Sequence, residues 1–116
     1  MYEMKTVVKK KKFHYKGSVE SGLEIYFGKE LKSKVEVNSF QLENLLDYYK
    51  NTIAVIGTSR TTPPQGSIGS WLINNVTKQA IASYIIPILI KEGYVRLVDN
   101  SKVEFIGSKT NGIKLS

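Results

Sequence analysis

Lys9-Lys10-Lys11-Lys12 and Thr77-Lys78-Gln79 are the residues whose types and spacing suit a definite chemistry, the binding of a polyanion. A run of ammonium groups can track a phosphate backbone or enter a minor groove. A lysine at the start of a helix can reach a phosphate or guanine O6/N7, and a glutamine there can pair bidentately with adenine. The plain alternative is that both segments are solvated surface, the first of them an edge strand guarded by lysine.

Little else in the chain offers chemistry. There is no Cys and a single His, His14. This excludes a disulfide scaffold, a thiolate metal site and a cysteine nucleophile, and it argues against a His-rich metal site or a catalytic triad. His14 reads as structural. Glu30-Leu31-Lys32 fits the E-x-K spelling of metal-dependent nucleases with a PD-(D/E)xK core. That chemistry needs the Glu and Lys on a strand beside another acid. Here the tripeptide falls in a predicted turn, and Glu3-Met4-Lys5 fits the spelling equally by chance. The Gly57–Gly69 loop is rich in Gly, Ser and Thr but lacks the G-x-x-x-x-G-K-[ST] spacing that puts a lysine on phosphates. The expectation is a non-enzymatic protein without metal or cofactor.

The charge distribution agrees with a polyanion partner. The chain has 116 residues, a net charge of +7 and a pI of about 9.6. Residues 1–16 carry a balance of +5, residues 17–50 of −2 and residues 51–116 of +4. A surplus at both ends and a deficit between them suits approach from one side; the plain alternative is solubility. With 41% hydrophobic residues the chain can bury one modest core. The most apolar stretch, Ala80 to Ile90, is interrupted by Ser83 and Pro87. It is too short for a membrane span of about 20 residues. No leader is visible, so a soluble cytoplasmic protein is expected.

These residues must be positioned by a mixed set of elements. Residues 13–37 alternate with period two: Phe13 and Tyr15; Leu23, Ile25 and Phe27; Val35 and Val37. Gly17-Ser18, Ser21-Gly22 and Gly28-Lys29 punctuate them, which predicts an antiparallel meander with one buried face. Asn38 with Gln41 has capping-box spacing, and Leu42, Leu45, Leu46 and Tyr49 form a helical stripe over 39–50. Residues 52–56 predict a buried strand. A loop follows over 57–66, then a helix over 67–76 with Trp71 on its core side. Thr77 is the expected N-cap of a third helix, 77–92, whose stripe is Ile81, Ile85, Ile88 and Leu89. Lys91 and Gly93 suit its C-terminal end, while Pro87 predicts a kink or two short helices. In the tail, a three-residue loop at 99–101 sets Val95 opposite Phe105, Leu97 opposite Val103 and Arg96 opposite Glu104. This register buries one face and pairs charges on the other.

The order helix 39–50, strand 52–56, helices 67–76 and 77–92, hairpin 95–106 resembles the winged-helix superfamily. The resemblance is carried by Val76-Thr77-Lys78-Gln79-Ala80-Ile81-Ala82-Ser83-Tyr84-Ile85 and by Leu89-Ile90-Lys91-Glu92-Gly93-Tyr94-Val95-Arg96. It covers roughly residues 39–106 and departs from the pattern in the long loop 57–66 and in Pro87. The expected fold is α+β: a basic arm (1–12), a β-meander (13–37) and a winged-helix-like core with a short tail (38–116), together one domain. The resemblance implies duplex DNA as partner, in a small regulator or accessory subunit. Lys78, Gln79, Ala82 and Ser83 would face the groove from helix 77–92. Thr77 would cap that helix, Arg96 and Lys102 would contact backbone from the hairpin, and Lys9, Lys10, Lys11 and Lys12 would add affinity. The other class of function is a docking module for a protein partner or a second copy of the chain.

Overall fold

Alternation in the first third of the chain builds a sheet that starts earlier than its pattern suggests. The computed structural model describes residues 1–59 and 61–106. Strands β1 (Tyr2–Lys5), β2 (Lys12–Ser18), β3 (Gly22–Phe27) and β4 (Ser33–Val37) form an antiparallel sheet in chain order. Phe13, Tyr15, Leu23, Ile25, Val35 and Val37 point inward and are buried. The basic arm expected over 1–12 is therefore not free. Residues 2–5 pair with β2, and only residues 6–11 form the connecting turn. Its base is pinned by the buried Thr6, whose N–H donates to the Lys11 carbonyl (2.9 Å) and whose Oγ1 accepts the Lys11 N–H (3.0 Å). His14 Nε2 lies 3.4 Å from Glu3 Oε2 across β1 and β2. Glu30-Leu31 falls in a single 3-10 turn, Lys29–Leu31, and Lys32 follows it, so the E-x-K tripeptide is off any strand.

The capping box at Asn38 forms as its spacing requires. Asn38 Oδ1 accepts the Gln41 N–H (2.8 Å), and Gln41 Oε1 accepts the Asn38 N–H (3.0 Å). They start α1 (Ser39–Tyr48), which buries Leu42 and Leu45. Strand β5 (Ile53–Val55) follows, and Ser67 caps α2 (Ile68–Asn75) through the Ser70 N–H (3.1 Å). Trp71 packs partly buried against the core, 6.2 Å from the Tyr48 ring.

The buried Tyr49 donates its hydroxyl to the Gly66 carbonyl (2.9 Å) and so ties the long loop to α1. Burial pushes its phenol up to about 12. An unfolded tyrosine titrates near 10. The folded state holds its proton while the unfolded chain loses one, so stability falls as pH rises from about 10 through 12. Tyr94, raised by burial, adds the same sign. Chemical denaturation at pH 9, 10.5 and 11.5 should show this loss, and Tyr49→Phe should reduce its slope.

The third helix is shorter than its sequence suggests. It is α3 (Ala82–Lys91), and its N-cap is Ile81, without a side-chain cap. Thr77 is not the cap. The Val76 and Thr77 N–H groups both bond to the Leu72 carbonyl and close α2 (2.8 and 3.1 Å). Thr77 Oγ1 then accepts the Gln79 N–H (3.4 Å), which folds residues 77–79 into a local turn instead of a helical one. Pro87 does not split α3, which runs as one element through it. The proline forfeits one backbone bond, but Ile85, Ile86, Ile88 and Leu89 are buried around it and hold the helix in place. At the other end the Tyr94 N–H reaches the Leu89 carbonyl (2.9 Å) and the Gly93 N–H that of Ile90 (3.1 Å). This is a Schellman motif with Gly93 at φ 84.

Strands β6 (Val95–Asp99) and β7 (Lys102–Phe105) adopt the expected register, with Val95 opposite Phe105, Arg96 opposite Glu104 and Leu97 opposite Val103. The loop differs. Asp99 also pairs with Lys102, leaving a two-residue turn at Asn100-Ser101 and a bulge at Val98. Asp99 Oδ1 accepts the Ser101 N–H (2.7 Å) and hydroxyl (2.9 Å), and these bonds lower the carboxyl pKa. Arg96 Nε donates to Glu104 Oε1 (2.7 Å) on the exposed face. Such a pair contributes about 0–1 kcal/mol, so Glu104→Gln should leave the urea midpoint nearly unchanged.

Strand β5 joins β7 to complete a second antiparallel sheet in the order β5–β7–β6. The fold is thus mixed α+β with three helices and two antiparallel sheets. One buried cluster runs from Phe13 in the first sheet to Phe105 in the second, with α3 between them. Residues 107–116, the end of the expected core and its short tail, lie outside the described residues.

Candidate nucleic-acid interface

Three turns that are remote in sequence come together at the N-terminal end of α3. The base of the β1–β2 turn brings Lys11 and Lys12, the β3–β4 turn brings Lys29, and the α2–α3 turn brings Lys78 and Gln79. They line an open cleft of about 710 Å³ whose floor includes Phe27 and Tyr84. Those rings stack at 4.6 Å, and Phe13 meets Tyr84 edge-on at 5.1 Å. These rings pack against one another in the floor, while Lys11, Lys12, Lys29 and Lys78 are exposed at the rim.

Among the described residues no carboxylate lines this cleft. Among the described residues none of its four lysines is in an ion pair with an acid. The sheet register adds a further concentration of charge, because Lys5 sits directly opposite Lys12. Like charges in that position are destabilising. The same sheet has an opposed acidic pair, Glu24 and Glu36, and there the repulsion is relieved. Lys34 Nζ lies 3.2 Å from Glu24 and 3.3 Å from Glu36. The Tyr26 hydroxyl and then Lys34 hold the Glu24 carboxyl below its usual range, and the two acids raise Lys34. The acidic pair shares a lysine at ion-pair distance, and the lysine pair has no acid at that distance among the described residues.

The other sequence-predicted residues are placed differently. Lys9 and Lys10 are exposed at the β1–β2 turn, outside the cleft lining. Lys10 has φ 56, a left-handed conformation unusual for a side-chain-bearing residue. Thr77 is half-buried and serves the turn described above. Ser83 is half-buried and opens into a neighbouring cavity, and Ala82 is buried. Arg96 is held by Glu104, and Lys102 stands opposite Asp99 on the second sheet; neither lines the cleft.

The largest correction concerns α3 itself. Of its ten residues only Lys91 is exposed, and that ammonium lies 3.6 Å from the centroid of the Tyr2 ring. A helix without a free face cannot lie in a major groove. The N-terminal sheet occupies the side that would have to be open. Sequence reasoning missed Lys29, Phe27 and Tyr84 as cleft residues and Lys5 as a contributor. The alternation of Tyr2 and Met4 with Glu3 and Lys5 signalled a strand and hence Lys5; nothing local signalled Lys29.

Among the described residues no group of His, Asp and Glu is arranged to hold a metal ion, and no helix is long and apolar enough to cross a membrane. Comparison with protein-family models, curated proteins and solved structures finds no match to this chain.

Proposed function

We propose that this chain is a non-enzymatic protein that binds duplex DNA through its phosphate backbone, at the cleft formed by Lys11, Lys12, Lys29 and Lys78. The observation that carries the reading is the convergence of these lysines from three turns, none of them in an ion pair among the described residues, beside an opposed Lys5–Lys12 pair. A polyanion is the partner that relieves such a site. The element order from α1 to β7 and the strand order β5–β7–β6 support a winged-helix core. In this reading the first sheet covers the third helix and supplies the binding surface in its place. Recognition is then by backbone charge, with Gln79 the cleft side chain that can pair bidentately with adenine.

Titration of a labelled duplex at several salt concentrations tests this. Four phosphate contacts predict a slope of log K against log salt of about −3.6. Binding with a flat salt dependence, or none, overturns it. Gln79→Ala should lower affinity equally for a selected and a scrambled duplex, or not at all, if backbone contact dominates. A loss confined to the selected duplex would make Gln79 a base reader. The docking reading has its own observation: Tyr48, 65% exposed, and Ile53 line a shallow groove beside β5. A protein partner seated there would bind with little dependence on salt.

A further inference from the structure

A second cavity adjoins the lysine cleft, and its chemistry is different. It encloses about 410 Å³ where the β1–β2 turn, the end of β5 and the β6–β7 turn meet over the first half of α3. Pockets that enclose small organic ligands measure about 300–1,000 Å³. Its walls are largely apolar: Val7 and Val8 on one side, Val55 and Ile56 on another, Ala80 and Ile86 below. Among the described residues Lys9 and Lys11 are its only charged lining residues, and both are exposed. Val8 is 59% exposed although it adjoins this cavity. The turn that carries Val8 is held in a defined shape by the two Thr6–Lys11 hydrogen bonds, with Lys10 in the left-handed region.

We propose that this cavity binds a small amphipathic carboxylate, with the apolar tail over Val7, Val8 and Val55 and the carboxylate between Lys9 and Lys11. A nucleic-acid backbone has nothing to place against these walls. A neutral apolar molecule leaves two ammonium groups at the mouth unused, and a hydrogen bond to a charged group is stronger than a neutral one. Lys11, Ala80 and Tyr84 line both this cavity and the lysine cleft. A carboxylate on Lys11 therefore removes one cation from the cleft and weakens duplex binding. That last consequence rests on the duplex reading; the carboxylate site does not, and it is measured without DNA.

The probe is decanoate, below its micelle concentration, titrated into the full chain and followed by amide NMR. Saturable shifts are expected at Val7, Val8, Ile56 and Ala80, with decanol binding at least tenfold more weakly. Lys9→Ala/Lys11→Ala should reduce decanoate to the affinity of decanol. Val8→Glu, on an exposed turn position, should repel decanoate about tenfold while leaving the rest of the spectrum in place. Equal affinity for decanoate and decanol in the wild type, shifts centred on Phe40 and Tyr48, or no saturation would each overturn the site. Saturating decanoate should lower duplex affinity several-fold, and an unchanged duplex affinity would overturn the sharing of Lys11.

Discussion

Replacing Lys11, Lys12, Lys29 and Lys78 together by Ala should abolish most of the salt dependence of duplex binding. With four phosphate contacts the wild type loses about 100-fold in affinity between 50 and 200 mM salt, and the variant should lose almost none. Removing Lys9 and Lys10 should have a smaller effect, because neither lines the cleft. Folding should survive, since all four side chains are exposed. A sharper form of the experiment uses Lys12→Glu. Opposite Lys5, a glutamate replaces a repulsive cross-strand pair with an attractive one. It should stabilise the protein by about 0.2–1 kcal/mol and at the same time weaken DNA binding. Opposite movement of stability and affinity in one variant separates a binding lysine from a structural one. If Lys12→Glu binds duplex as the wild type does, the cleft is not the interface.

Gly69→Ala should be among the most destabilising single methyl additions to this chain. Gly69 lies in the first turn of α2, where its N–H donates to the Ile56 carbonyl at 2.7 Å. A Cβ there would stand 1.8 Å from the Gly57 carbonyl oxygen and 2.9 Å from its carbon. Both are backbone atoms at the end of β5, so relief requires α2 to move off the sheet. We expect a cost of about 3 kcal/mol or more, the upper end for overpacking. Gly66 is the internal control. It has φ +84 with no atom within 4 Å of an added Cβ, so Gly66→Ala should cost only the left-handed conformation, about 1–2 kcal/mol. Urea denaturation of both variants measures the difference. Equal costs would show that the approach of α2 to β5 is not tight.

Local chemistry was legible where a residue acts on its near neighbours. Asn38 and Gln41 announced their capping box, Ser67 the start of α2, and Gly93 the end of α3. The hairpin register followed from pairing Arg96 with Glu104, although the bulge at Val98 did not, because Asp99 and Ser101 settle the turn between themselves. Thr77 misled for the same local reason. A threonine before an apolar periodic run has the spacing of an N-cap, but here its hydroxyl closes a turn two residues on, and the helix waits for Ile81.

The sequence alone determined the mixed α+β elements other than β1, most of their boundaries, the inward faces of β2, β3 and β4, and the absence of thiol chemistry. These depend on period, capping and composition, all of which act over a few residues. Only the tertiary structure decided which lysines stand together. Lys12 and Lys29 are 17 positions apart and Lys78 lies 49 further on, and no local rule relates a β-turn in the first sheet to a turn before α3. It also decided that α3 is a core element. Its stripe of Ile81, Ile85, Ile88 and Leu89 showed one buried side, but Ile86 and Pro87 are buried too, because the first sheet packs on the side the stripe left open. Periodicity records how a helix meets one partner. A second partner that covers the remaining face is visible only when the chain has folded back on itself.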